Sequence, residues 1–164
     1  MPPDPREFEE ELRDVLYRNP GVDSLTFGYY GEPTLAVNLE FYLNLAREIK
    51  KDYEHADGRP WLTVFTNSTT INQLEIRRIL AKFDHVVAKL DCAAQNIYEK
   101  VNQVLDNEPN ITQIIEGLRE FQDSIKNDTL KELLLQTLLF RSDNPKCPSN
   151  LTEENLIALA SAYN

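Results

Sequence analysis

Two kinds of apolar pattern alternate along this chain, and that alternation limits its fold more than any other feature. Short runs rich in β-branched and aromatic residues are separated by longer stretches with apolar side chains at helical spacing. The short runs are residues 22–28 (VDSLTFG), 61–66 (WLTVFT) and 85–90 (HVVAKL). The helical stripes are Phe8, Leu12, Val15 and Leu16; Leu39, Tyr42, Leu43, Ala46, Ile49 and Tyr53; Leu74, Ile79, Leu80 and Phe83. Tyr98, Val101 and Leu105 form a fourth, and Ile111, Ile114, Ile115, Leu118, Phe121 and Ile125 a fifth. Leu156, Leu159 and Ala160 form the last. Residues 130–140 (LKELLLQTLLF) fit either element. Leucine favours helix by propensity, whereas position in an alternating series favours a strand buried on both faces. The strand is the reading adopted.

Punctuation supports these bounds. Asp4-Pro5-Arg6-Glu7 has the form of a helix start, with an N-cap aspartate, a proline at N1 and a glutamate at N3. Asn19-Pro20-Gly21 and Asp57-Gly58-Arg59-Pro60 are stops. Asn38, Asn72 with Glu75, and Thr152 are expected to cap later helices. The order is α-β-α-β-α-β-α(α)-β-α. Strands separated by helices imply right-handed crossovers and a parallel sheet. The expected fold is α/β, one domain over residues 1–164 with about four βα units.

Composition narrows the function. With 41% hydrophobic residues the chain can bury a core. Acidic residues number 27 against 17 basic, which disfavours binding to nucleic acid. No apolar run reaches the roughly 18 residues of a membrane span, and the amino terminus has no apolar core for a signal peptide. Cys92 and Cys147 are the only cysteines and form no CxxC. A cytoplasmic protein without structural disulfides is expected. Four Asn-x-Ser/Thr sequons, at Asn67, Asn110, Asn127 and Asn150, are then chance. His55 and His85 lack partners for a metal site. There is no P-loop, GxGxxG or Ser/His/Asp order.

Ligands of parallel α/β sheets bind at the carboxyl ends of the strands. Here those ends are residues 28–33 (GYYGEP), 66–68 (TNS), 91–92 (DC) and the stretch from Gln136 to Arg141. A Gly-Pro loop lets backbone approach a ligand. Asn67 and Asp91 can exchange hydrogen bonds with a sugar hydroxyl. Each residue alone is equally what a turn after a strand requires. Tyr29 and Tyr30 fit a cavity lining or packing on the next helix.

Taken in order, the segments LTFGYYGEPTL (25–35), FTNS (65–68), VAKLD (87–91), YEKVN (98–102) and IIEGL (114–118) resemble the radical S-adenosylmethionine (SAM) superfamily, in the GEPTL branch of Fe–S oxidoreductases related to wybutosine-synthesis enzymes. The resemblance spans about residues 22–140. It implies a partial (β/α)6-type barrel. It also implies SAM contacts at Gly31, Glu32 and Pro33, at Thr66, Asn67 and Ser68, at Asp91, and at Gln136. The 4Fe–4S cluster of that family is held by a CxxxCxxC loop before the first helix, and this chain carries no such ligands. The expectation is therefore the central part of a radical SAM domain, lacking the cluster loop and first strand and inactive alone, with its substrate open. The alternatives are a cluster-less α/β interaction module or degenerate fragment, with possible self-association through the sheet edge left open by the missing strand, and a response-regulator-like domain. The last fits poorly, because residues 22–28 do not end in paired carboxylates.

Overall fold

The computed structural model describes residues 3–28, 31–104 and 108–163. Its elements run α1 (Pro5–Arg18), β1 (Ser24–Phe27), a short 3-10 turn (Pro33–Leu35), α2 (Leu39–Lys50), β2 (Trp61–Thr66), α3 (Leu74–Leu80), β3 (His85–Lys89), α4 (Gln95–Asn102), α5 (Ile111–Ile125), β4 (Glu132–Gln136) and α6 (Glu153–Ala162). The α/β expectation and its element order hold. All three strand pairings are parallel, in the order β1-β2-β3-β4.

The caps hold in part. Asp4 accepts from the backbone N–H groups of Arg6 and Glu7, and Thr152 accepts from Asn155 N–H. Asn38 stands at the N-cap of α2 without a side-chain bond. Asn72 does not cap α3; Gln73 occupies that position, also without a side-chain bond. A reciprocal capping box, which the sequence analysis does not anticipate, opens α5. Asn110 accepts from Gln113 N–H, and the Gln113 side chain accepts from Asn110 N–H. Tyr29, Tyr30 and Leu105 fall outside the described residues.

The sequential strand order decides which faces are covered. Right-handed crossovers between neighbouring parallel strands place every connecting helix on the same side. On that side Leu62, Val64, Val86, Ala88 and Leu90 are buried against Leu39, Leu43, Ala46, Leu80, Phe83, Ile114, Leu118 and Phe121. On the opposite side Phe65 is 39% exposed and Leu134 is 47% exposed. These two flank Val87, since the register pairs Phe65 with Val87 and Val87 with Leu134. The expectation of a β4 buried on both faces is therefore corrected. In an open sheet, burial on both faces needs helices on both sides, and this strand order puts the connecting helices on one. It is the winding a barrel wall uses.

Two positions explain local choices. Gly28, at φ +137°, ends β1 where a Cβ would lie 3.0 Å from Phe65 Cβ. Lys50 is buried at the amino end of the sheet. Its ammonium donates to the carbonyls of Gly58 (3.0 Å) and Pro60 (3.1 Å) and pairs with Glu54 (3.1 Å) and Asp84 (3.6 Å). Asp84 in turn accepts from Leu62 N–H at 2.7 Å. A buried cation is tolerated because its donors are satisfied.

Candidate functional site

The carboxyl ends of β1, β2 and β3 converge, as the parallel arrangement requires. Glu32 is their brace. Its Oε1 accepts from Thr34 N–H (3.1 Å), Thr34 Oγ1 (2.6 Å) and Thr66 Oγ1 (2.8 Å). Its Oε2 accepts from Asn67 N–H at 2.6 Å. Thr66 Oγ1 also accepts from Ser68 N–H, and Ser68 Oγ donates to the Lys89 carbonyl. Ser68 is fully buried with a left-handed backbone, φ +68°. These bonds join the loop after β1 to the end of β2, and the end of β2 to β3. Glu32, Thr66 and Ser68 therefore hold the rim together. Pro33 opens the 3-10 turn beside them. Gly31, at φ +77°, supplies a turn conformation that other residues adopt at a cost.

Asn67 and Asp91 come together across the rim. They line a polar cavity of about 210 Å3 with Thr69, Lys89, Asn102 and Glu108. Asp91 is buried. Its Oδ2 pairs with Lys89 Nζ at 2.9 Å, and its Oδ1 accepts from Leu138 N–H at 2.8 Å. Asn67 Oδ1 accepts from the backbone N–H and the hydroxyl of Thr69. Gln136 is exposed in register with Lys89 and does not line this cavity. Lys89, Asn102 and Glu108 were not singled out from sequence. Only the alternation of β3 could have flagged Lys89, because it shares the parity of Val87 and Asp91.

Beneath the rim lies a second polar cluster. Asn150 and Asn155 are fully buried. Asn155 Oδ1 accepts from Ala93 N–H (2.8 Å) and Ala94 N–H (3.3 Å), and its Nδ2 donates to the carbonyls of Asp91 (3.2 Å) and Asn150 (2.9 Å). Asn150 Oδ1 accepts from Phe140 N–H (2.8 Å), and its Nδ2 donates to the carbonyls of Asp91 (3.0 Å) and Leu138 (2.7 Å). These two amides fasten α6 and the segment after β4 onto the end of β3. That holds Asp91 in place.

Cys92, next in the chain, is buried, and its thiol is pushed up to about 11, first by burial and then by the charge of Asp91. The Tyr98 hydroxyl is pushed up to about 12, chiefly by burial and then by Glu108. It has no hydrogen-bond partner among the described residues. The thiolate is the nucleophile, so folded Cys92 is unreactive near neutral pH. Iodoacetamide at pH 8 should therefore reach the two thiols at different rates: Cys147 first, because it is only half-buried, and Cys92 only on unfolding or as pH rises toward 11. The sign is that of a raised acid. The stability Cys92 contributes is present below about 8.5 and is lost as pH climbs through the folded value. Equal labelling rates at pH 8 would refute this.

Comparison with known proteins gives relatives of two names. No family model and no solved structure matches the chain. A UPF0026 protein of Methanocaldococcus jannaschii is 29% identical over 155 residues, 92% of this chain and 40% of the relative. A UPF0026 protein of Synechocystis is 30% identical over 134 residues, 82% of this chain and 43% of the relative. A protein named GTPase Obg of Brachyspira hyodysenteriae is 28% identical over 125 residues, 76% of this chain and 17% of that protein. The chain spans less than half the length of these relatives.

The likeness is to UPF0026 proteins. This overturns the radical SAM assignment, and with it the SAM-binding function and the iron–sulfur oxidoreductase character. Physically, the motifs behind that assignment are also what a parallel sheet needs at its strand ends. The carboxylate of the Gly-Glu-Pro segment is engaged by four internal donors. Among the described residues no three His, Cys, Asp or Glu side chains converge to hold a metal. Nor is any described helix long and apolar enough to cross a membrane.

Proposed function

We propose that this chain binds a small hydroxyl-rich molecule at the carboxyl ends of β2 and β3. The cavity shared by Asn67, Thr69, Lys89, Asp91, Asn102 and Glu108 carries this reading. It mixes amide, hydroxyl, ammonium and carboxylate groups on a rigid sheet end. A hydroxyl both donates and accepts, so it matches such a lining, whereas two carboxylates oppose a phosphate. Its volume, about 210 Å3, suits a sugar-sized ligand. The Brachyspira relative's name does not extend to this chain, which has no GxxxxGK[ST] segment to cradle a triphosphate.

Titrating the nitrogen-15-labelled chain with D-ribose through the millimolar range tests the proposal. Amide shifts are expected at Asn67, Thr69, Lys89, Asp91 and Asn102. Asn102→Ala should weaken binding about three- to tenfold, the range of one hydrogen bond. No shifts, shifts confined to other surfaces, or an equal response to inorganic phosphate would refute it.

A further inference from the structure

We propose that Cys92 and Cys147 are a redox-responsive pair, which hydrogen peroxide joins in an intrachain disulfide that ties the loop of residues 141–149 to the end of β3. Both are free thiols in this structure. They are far apart in sequence, and the fold brings them to one place. Asn150 stands three residues after Cys147, and its Nδ2 donates at 3.0 Å to the carbonyl of Asp91, the residue before Cys92. Three residues span at most about 10 Å of chain. Asn155 grips the other side of Cys92 through the N–H groups of Ala93 and Ala94. The Asn150 side chain hydrogen-bonds the Cys92 thiol, and Cys147 lies within electrostatic reach of it.

The loop that carries Cys147 is able to close the remaining gap. Its base is clasped where Phe140 N–H donates to Asn150 Oδ1 and Ser149 Oγ donates to the Phe140 carbonyl, each at 2.8 Å. Above that base its hydrogen bonds stay within the loop. Asn144 N–H donates to Ser142 Oγ, Lys146 N–H to Asn144 Oδ1, and Cys147 N–H to the Asn144 carbonyl. Among the described residues no hydrogen bond or ion pair ties residues 141–147 to the sheet. The loop can therefore pivot on its base without losing one. A disulfide needs the two Cα atoms within roughly 4.4–6.8 Å.

The two thiols take different parts in the reaction. Cys147, half-buried on the loop, meets the oxidant; Cys92, 1% exposed, does not. The Cys147 thiolate attacks one peroxide oxygen and breaks the O–O bond. This leaves a sulfenic acid on Cys147 and a hydroxide, which takes up the thiol proton as water. The Cys92 sulfur then attacks the Cys147 sulfur, the S–O bond breaks, and the Cys92 proton leaves with the hydroxide as a second water. Two thiols and one peroxide give one disulfide and two waters. Burial holds Cys92 as the thiol, so the second step is the slow one.

The test treats the whole chain with equimolar hydrogen peroxide near neutral pH, blocks residual thiols with N-ethylmaleimide, and maps the unreduced digest by mass spectrometry. A peptide linking Cys92 to Cys147 within one chain is expected, with loss of both free thiols and their return on adding dithiothreitol. Dimedone present from the start should trap Cys147 and suppress the linked peptide, a readout that needs no variant to fold. Cys92→Ser should stop at the Cys147 sulfenic acid, and Cys147→Ser should leave Cys92 reduced at the same dose. Cys147 passing to sulfinic acid while Cys92 stays reduced, a bridge found only between chains, dimedone on Cys92 rather than Cys147, or Cys92 oxidised equally fast in Cys147→Ser would each overturn the proposal.

Discussion

Asn155→Ala is expected to lower the unfolding free energy by about 3–5 kcal/mol, a large part of the roughly 5–15 kcal/mol of a domain this size. The substitution strips partners from the Ala93 and Ala94 N–H groups and from the Asp91 and Asn150 carbonyls. The Asp91 carbonyl keeps Asn150 Nδ2, but the other three lose their side-chain partner, and a buried unpaired polar group costs about 1–3 kcal/mol. The costs do not add fully, because the site relaxes. Asn155→Asp is the sharper probe. It keeps the shape and the acceptor but turns the Nδ2 donor into an oxygen facing two carbonyls, so a similar loss is expected. Thr152→Ala, which removes only the cap of α6, should cost about 1 kcal/mol. Urea midpoints at constant slope measure all three. A loss below 1 kcal/mol for Asn155→Ala would mean that α6 is not held by this amide.

The second large effect is at Gly117. Glycine inside a helix ordinarily costs about 1 kcal/mol relative to alanine, so Gly117→Ala in the middle of α5 would be a routine stabilising change. Here the reverse is expected, a loss of about 2–3 kcal/mol from overpacking. A Cβ on Gly117 would lie 2.8 Å from the carbonyl carbon and oxygen of Ile71 and 2.9 Å from Asn72 N. These are backbone atoms of the segment between β2 and α3 and have no rotamer to retreat into. Gln122→Ala, on the exposed side of the same helix, serves as the control and should be neutral or slightly stabilising. If both variants are stabilised alike, α5 does not pack on that segment as closely as described. The same contact bears on the rim, because Asn67 and Ser68 begin the loop that Gly117 presses against.

The candidate site was legible from sequence only in outline. Asn67 and Asp91 could be placed at one mouth because parallel strands end on one side, and that follows from connection lengths alone. Glu32 stood out for the right location, but its use could not be read. Whether a carboxylate faces a ligand or braces a loop depends on where Thr34, Thr66 and Asn67 N–H lie in space. Asn150 and Asn155 could not be found. Their partners sit about sixty positions earlier in the chain, and a buried amide leaves no periodic trace. The family resemblance misled because its most distinctive segments, Gly-Glu-Pro, Thr-Asn-Ser and Leu-Asp, are turn-forming residues that strand ends share, and its two helical segments carry only ordinary amphipathic spacing.

Local chemistry was sufficient for element type and order everywhere but residues 130–140, where only the alternating series chose the strand. Whether apolar residues recur every second or every third to fourth position depends on neighbours within one turn or pleat, and the sequence carries that information directly. The tertiary structure alone decided that one sheet face stays open, that β4 is half-exposed, and that Gly117 meets backbone. Each depends on the direction in which successive crossovers wind and on how closely distant segments approach, and no local pattern encodes those distances.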